Sequence, residues 1–314
     1  MPLTLPQEAE SFLNCLAQMR AIDLDRAPEP VGTGSINMVW RAWQSSGAPV
    51  AVRLGPDPQV VAEGPSWMRS GALACEAIVL DRLGATLTGL PVPVAAGFRE
   101  PSRPWLVQRW IPGTSFEEVM PIMEPGARAG IWKELGTALR KVHGISAPWF
   151  GTPDGAAIFG EWAEMVRADV EGLIADASRY GLDPAPFARL LSRVQRSAKH
   201  LRTVHPAIVH SDLGPRHVLV RQDGRSDWRI SGYIDWEYAR YVDPLSESIL
   251  VELLARPEDD PDRCAFLDGY GLDTGALADP AFVERQEIYR GIVAGWAATD
   301  AARLEREGDT SHAG

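Results

Sequence analysis

Residues 207–220 read Ala-Ile-Val-His-Ser-Asp-Leu-Gly-Pro-Arg-His-Val-Leu-Val, and the eight from His210 to His217 decide the fold. A carboxylate at Asp212 is followed by a Leu-Gly-Pro bend and, five positions on, by the imidazole of His217, after which the chain enters the apolar run Val218-Leu219-Val220. A loop that reverses so sharply brings Asp212 and His217 to one point. The runs HVLVR and WRISGYI then flank QDGRSD, whose Asp-Gly pair is a hairpin signal, and the second run ends at Ile234-Asp235-Trp236-Glu237. That hairpin returns Asp235 to the side of Asp212. A lone His-x-Asp, or a lone acid at a strand end, would read as a turn residue; the spacing to His217 and the returning hairpin set these apart. His210 reads as structural, bonded to nearby backbone, and Asp243 before Pro244 as a cap at the next helix start.

Upstream, Gly32-Thr33-Gly34-Ser35-Ile36-Asn37-Met38-Val39 matches the protein-kinase glycine loop GxGxxGxV at every fixed position but the third glycine, which is Asn37. Small residues let backbone N–H groups close over phosphates, and Asn tolerates positive φ. A glycine-rich hairpin turn alone would look the same. The next strand reads Val50-Ala51-Val52-Arg53 where kinases carry VAIK, so a guanidinium stands in the place of the phosphate-binding ammonium. Residues 71–83 place Leu73, Ala77, Leu80 and Leu83 on one helical face, and Glu76 within that helix is a partner for Arg53, with Glu63 the competing candidate. His210 to His217 takes the place of HRDLxxxN, and Asp235 that of the DFG aspartate. Asp212 is then the group that receives or orients a substrate hydroxyl, and Asp235 with His217 the metal ligands.

Around these motifs the chain organises simply. A leading helix is expected over about 7–23, a strand at Trp105–Ile111, helices over about 127–143, 159–180 and 184–201, and further helices from about 244 to 304 broken near Pro257, Pro261 and Pro280; residues 308–314 are expected to fray. With 314 residues the chain is long enough for two packed lobes, and its net charge of −11 with scattered basic residues lacks the clustered footprint of a nucleic-acid binder. Cys15, Cys75 and Cys264 offer neither a disulfide framework nor a metal knuckle, and point to a reducing cytoplasm. No window approaches the about 20 apolar residues that span a bilayer, so no membrane role is expected.

The segments VGTGSINMVWRA, VAVRL, WLVQRWIPG, IVHSDLGPRHVLV and YIDWEYARYVDP together resemble the aminoglycoside and macrolide phosphotransferases, small-molecule kinases with a protein-kinase-like fold. The resemblance runs from about residue 30 to about 250; IDW with Asp-Pro eight residues after its Asp, and IPG after the hinge strand, are more typical of that family than of protein kinases. His217 in place of Asn is similar to the macrolide kinases, while Asn37, Arg53 and His217 all depart from the protein-kinase pattern. The resemblance implies an α+β, bilobal fold: a small β-rich N-lobe with one key helix over 1–110, and a larger, mainly helical catalytic and substrate lobe over 111–314. It implies Mg²⁺ and ATP or GTP, the nucleotide held by Gly32, Thr33, Gly34, Ser35, Asn37, Val39, Arg53, Glu76 and the hinge residues Gln108, Arg109 and Ile111, with the purine bonded to backbone around Arg109 and Ile111.

The acceptor implied is a small-molecule alcohol, first of all a hydroxyl of a glycosylated natural-product antibiotic of macrolide, aminoglycoside or nucleoside type. A metabolic kinase for a choline-like or homoserine-like alcohol, and a non-catalytic nucleotide-binding relative, stay open beside it. On the acceptor side the candidates are Asp212, Trp236, Glu237 and Trp162, and the acidic stretch Glu161–Asp183 reads either as a cradle for a cationic sugar or as a solvated helix face. Trp149, Phe150, Phe159 and Trp162 read as core or as a sugar-stacking wall.

Overall fold

The structure, a computed structural model, describes residues 7–33, 36–70, 72–98, 103–223, 227–272 and 274–311. After helix α1 (Gln7–Gln18) come strands β1 (Glu29–Thr33), β2 (Met38–Trp43) and β3 (Pro49–Leu54), then α2 (Pro58–Glu63), α3 (Leu73–Leu83), β4 (Pro93–Gly97) and β5 (Trp105–Arg109). The five strands form one antiparallel sheet in the order β1-β2-β3-β5-β4. Period-two alternation drives this: Trp40 and Ala42 on β2, and Val50, Val52 and Leu54 on β3, are buried against Leu13 and Leu16 of α1. Helix α1 is shorter than its apolar spacing predicts. It ends at Gln18, Arg20 turns the chain at φ 59°, and Asp23 bridges to Trp43, so residues 19–23 cap the sheet instead of continuing the helix.

Past the turn at Gly113, β6 (Thr114–Ser115) leads into α4 (Phe116–Val119), α5 (Pro125–His143), β7 (Phe150–Gly151), β8 (Ile158–Phe159), α6 (Trp162–Tyr180), α7 (Ala185–Arg196) and α8 (Ala198–Leu201). Next stand β9 (Ala207–Val209), β10 (Val218–Gln222), β11 (Trp228–Tyr233), β12 (Arg240–Val242), α9 (Ser248–Leu254), α10 (Pro261–Tyr270) and α11 (Pro280–Ser311). Helix α6 starts three residues later than predicted because Glu161 and Glu164 form a capping box there, while Ile158 and Phe159 are spent on β8. The region 184–201 is two helices, broken at Ser197, whose hydroxyl donates to Glu284. Helix α11 continues to Ser311, past the point where fraying is expected.

The hairpin β10–β11 is joined by β6 into a three-stranded sheet, and a second sheet, β8-β7-β12-β9, lies in the same half. These two- and three-residue strands are too short to leave a periodic signature. The main core packs Trp132, Leu135 and Leu139 of α5 with Ile249 and Leu253 of α9 and Phe266 of α10, and Val79, Leu80 and Leu83 of α3 belong to it. Helix α3 is therefore cemented to the helical half as well as to the sheet. Its N-terminal Ala72 N–H donates to the Glu237 carbonyl at 3.0 Å, and Arg82 near its end donates to the Tyr241 hydroxyl at 2.6 Å. No helix of the described residues is long and apolar enough to cross a membrane.

Candidate active site

Near the end of strand β3, Arg53 is on the face opposite its apolar neighbours Val52 and Leu54, and the cross-strand pairing sets Arg53 against Val39 of β2 and Leu106 of β5. Buried there, its guanidinium donates to three carboxylates: Glu76 of α3, Asp235 and, at 3.1 Å, Glu237. Glu63, the alternative partner, lies at the end of α2 and accepts from Gln59 on the surface. One carboxylate oxygen from each of Glu76, Asp235 and Glu237 lies within 4.8 Å of the other two, so a single cation faces three acids.

The electrostatics follow from that count. Burial would push the guanidinium of Arg53 down, but Glu76, Asp235 and Glu237 outweigh it and hold it above its ordinary value. Burial, only partly offset by Arg53, raises Glu76. Asp235 goes the other way: burial acts against it, yet Arg53, His217 and His210 bring it down to about 2, and it stays ionised. Glu237 is the acid that gives way, pushed up to about 8 by burial, with the pull of Arg53 opposed by its acidic neighbours.

The loop between β9 and β10 supplies the other half of the site. Ser211 and Asp235 are in the left-handed region, at φ 70° and 69°, an arrangement that costs a non-glycine residue energy and persists only where surroundings impose it. At Ser211 the imposing group is Glu247, just ahead of α9: fully buried, it accepts the His210 N–H at 2.9 Å and the Ser211 N–H at 3.1 Å. Burial opposes its charge, but His143, 3.5 Å away, together with His210 and these amides lowers its pKa. His210 is itself buried, with Nε2 3.0 Å from the Ile234 carbonyl. Asp243 accepts the Leu245 N–H as the expected cap and also binds Arg285 and the Tyr289 hydroxyl.

Asp212, Arg216, His217 and Asp235 meet at the mouth of this loop. His217 Nδ1 lies 2.7 Å from the Asp212 carbonyl oxygen, which places the ring proton on Nδ1 and leaves a lone pair on Nε2, 3.3 Å from Asp235 Oδ2. Burial lowers the pKa of His217 and favours this neutral form. The donor set suits a hard divalent cation: an ionised carboxylate and a neutral imidazole converge, and even with Glu237 protonated Arg53 alone faces both Glu76 and Asp235. Arg216, from the short 3₁₀ turn Pro215–His217, donates to Asp212 Oδ1 at 2.8 Å and to His217 Nε2 at 3.1 Å.

Other candidates stand elsewhere than expected. Gly32 and Thr33 are on β1, and Gly34 and Ser35 lie outside the described residues. Asn37 does not take positive φ; it is buried and its amide donates to Glu237, tying the end of the glycine loop to the acid cluster. Gln108 is buried within β5, the Arg109 N–H is taken by the Val92 carbonyl at 2.9 Å and that of Trp110 by Pro49, which leaves Ile111 as the hinge N–H with no partner among the described residues. Trp162 is sealed in the helical core, its indole donating to the Tyr289 hydroxyl, and Trp236 is buried with its indole on the Tyr233 carbonyl, so neither offers a face to an acceptor. Glu237 faces Arg53. Of the acids in 161–183, Asp169 binds Arg240, Asp176 accepts the Ser66 N–H, and Glu161 with Glu164 caps α6, so the stretch is neither a free cradle nor a wholly solvated face. Two contributors escape sequence reasoning, Glu247 and Arg216: the first carries no motif, and the second occupies an unconstrained position inside one.

The model of the phosphotransferase enzyme family matches residues 27–284 of this chain. Among solved structures, a thermostable mutant of aminoglycoside phosphotransferase APH(4)-Ia in its apo form is similar at 16% identity and a TM-score of 0.64, covering 97% of this chain and 95% of that one. Wild-type aminoglycoside 2'-phosphotransferase-IIIa, as its GDP complex, is similar at 17% identity and a TM-score of 0.64, covering 96% of this chain and 100% of that one. APH(2")-IIia with GDP and kanamycin gives 17% identity and a TM-score of 0.63, over 94% and 99%. These likenesses establish a shared kinase-like fold. No curated protein matches.

Proposed function

Because the chain belongs to the phosphotransferase enzyme family, we propose that it transfers the γ-phosphoryl group of ATP or GTP, with Mg²⁺, to a hydroxyl of a glycosylated natural-product antibiotic. The observation that carries this is the convergence of Asp212, His217 and Asp235 beside an Arg53–Glu76 pair, four sequence-distant segments brought to one point. The antibiotic class draws support from the similar structures, of which APH(4)-Ia is solved with ADP and hygromycin B and APH(2")-IIia with kanamycin.

In this reading residues 1–110 form the nucleotide lobe and 111–314 the catalytic lobe, and the purine takes its backbone donor from Ile111. Arg53, fixed by Glu76, and the amides of the glycine loop hold the phosphates. Asp235 and His217 hold the Mg²⁺, which when bound supplies charge neutralisation of the phosphoryl oxygens. Asp212 orients the acceptor hydroxyl and takes its proton as the acceptor oxygen bonds to phosphorus and the bridging P–O bond to the nucleoside diphosphate breaks. Positioning and charge stabilisation supply most of the acceleration in such a loose transition state.

The test is incubation of the protein with Mg²⁺, ATP or GTP and a panel of antibiotics and small alcohols. Transfer shows as a mass gain of about 80 Da, one phosphoryl group. Asp212→Ala is expected to keep the fold and nucleotide affinity and to cut turnover by about 10²–10⁴-fold, the range for a lost acid–base group. Near-normal turnover in that variant would overturn the assignment, and a gain on a small metabolite alone would replace the antibiotic by a metabolic alcohol.

A further inference from the structure

The position between Asp212 and His217 is held by a side chain that no motif requires. Arg216 is 56% exposed, yet its guanidinium makes two directed bonds, Nη2 to Asp212 Oδ1 at 2.8 Å and Nε to His217 Nε2 at 3.1 Å. An exposed i,i+4 ion pair is by itself worth little. What distinguishes this one is what it covers: the carboxylate read as receiving the acceptor proton, and the imidazole lone pair read as facing the metal. With Nδ1–H of His217 directed to the Asp212 carbonyl, Nε2 has a single lone pair, so one N–H donor or one metal ion takes it, never both.

We propose that Arg216 is a resident cation that bridges Asp212 and His217 before ligands bind and, when metal and nucleotide displace it, turns to the terminal phosphoryl group of the nucleoside triphosphate. The inference rests on the phosphotransferase reading of the site. The chemistry suits the exchange. Asp212, Asp235 and the Arg53 cluster leave this end of the cleft rich in negative charge, which a guanidinium balances until a divalent cation replaces it. Once released, the long side chain carries a planar fork of donors that matches two phosphoryl oxygens at once. A diphosphate product has no terminal group in that place, so Arg216 would return to Asp212 and His217 as the product leaves. The same residue thus restrains the acid and the imidazole before binding and discriminates substrate nucleotide from product.

Arg216→Gln and Arg216→Lys separate this from a surface ion pair, with readouts that need no turnover. Binding of Mn²⁺ alone, followed by the paramagnetic signal of the free ion, is expected to tighten about tenfold in Arg216→Gln, the size of one charge-assisted hydrogen bond removed from competition. The preference for a non-hydrolysable triphosphate analogue over the diphosphate, measured by calorimetry in Mg²⁺, is expected to fall by about tenfold in the same variant. Arg216→Lys keeps the charge but not the fork; it is expected to bind Mn²⁺ with an affinity between those of the wild type and Arg216→Gln and to retain part of the triphosphate preference. Wild-type Mn²⁺ affinity together with wild-type triphosphate preference in Arg216→Gln overturns the proposal while leaving the family reading intact. Failure of the unaltered protein to bind either nucleotide overturns the reading of the site, and the proposal with it.

Discussion

Replacing Glu237 by Gln tests the charge count around Arg53 directly. The carboxyl is buried and stands at about 8, against an ordinary value of 4.5. An acid whose folded pKa lies above its unfolded one takes up a proton on folding between the two, so its contribution to stability is whole below about 4.5 and is lost as pH rises through about 8. In that window stability falls by about 1.4 kcal/mol per pH unit. From about pH 6.5 to about pH 8, with the loss tapering near the folded pKa, the sum is about 2 kcal/mol, or about 3 °C in Tm for a chain of this size. Gln mimics the protonated acid: its carbonyl still accepts from the Asn37 amide and from Arg53, the two donors Glu237 Oε2 now serves. The lowered pKa of His217 acts in the opposite direction only below its ordinary value of 6.5, and is common to both proteins. Urea unfolding with a chelator present, followed by circular dichroism across this pH range, should show a midpoint that falls more steeply for the wild type than for Glu237→Gln, the raised pKa of Glu76 acting alike in both proteins. Equal slopes in the two proteins would refute the argument that Glu237 is the acid that yields to its neighbours.

Glu247→Gln leaves an amide where both oxygens now accept backbone N–H groups, so one donor of His210 or Ser211 meets another donor; a loss of about 1–3 kcal/mol in denaturant stability is expected, with kcat reduced more than the nucleotide KM because the loop around Asp212 is what loosens. Gly269→Ala sets a methyl 2.0 Å from the Lys133 carbonyl where α10 crosses α5; since that obstacle is backbone, unfolding experiments should find the variant weaker by about 1–3 kcal/mol or more, and unchanged stability would mean that the helices separate freely.

What was legible in the sequence and what was not divide along a physical line. Asp212, His217 and Asp235 could be placed together because a tight loop followed by a hairpin is a local device: residue types with strong turn and strand preferences fix the path over 25 residues or so, and the Asp-Gly signal marks the return. Arg53 and its helix partner were readable as a pair of candidates, since strand and helix each announce themselves by period. The choice of Glu76 over Glu63 was not, because it depends on how α3 docks against the sheet. Trp162 and Trp236 mislead for the same reason: aromatic residues beside a motif suit a ligand wall and a core equally, and only packing decides. The early end of α1 at Gln18 is a tertiary override too, the chain after Arg20 being claimed by a bridge to β2 that no helical propensity foresees.

The illegible part is also the part that holds the site in shape. Several residues of the site sit in a conformation or a protonation state that their own segments do not favour: Ser211 and Asp235 at positive φ, Glu237 pushed up to about 8, Glu76 buried among acids. Those costs are met from other segments, by Glu247 ahead of α9 gripping the amides of His210 and Ser211, and by Asn37 of the glycine-loop motif reaching Glu237. Ala72 at the start of α3 adds a backbone bond to the Glu237 carbonyl, so the acid cluster is tethered to the sheet half by backbone as well as by Arg53. A loop strained toward one geometry and braced by buried charge is stiff against relaxation but responsive to a new charge, since adding a cation relieves the repulsion among the acids that burial has concentrated. The strain and the acid excess therefore belong to one arrangement, held in place by Glu247, a buried group that no motif reveals, and by the contact of Asn37 with Glu237.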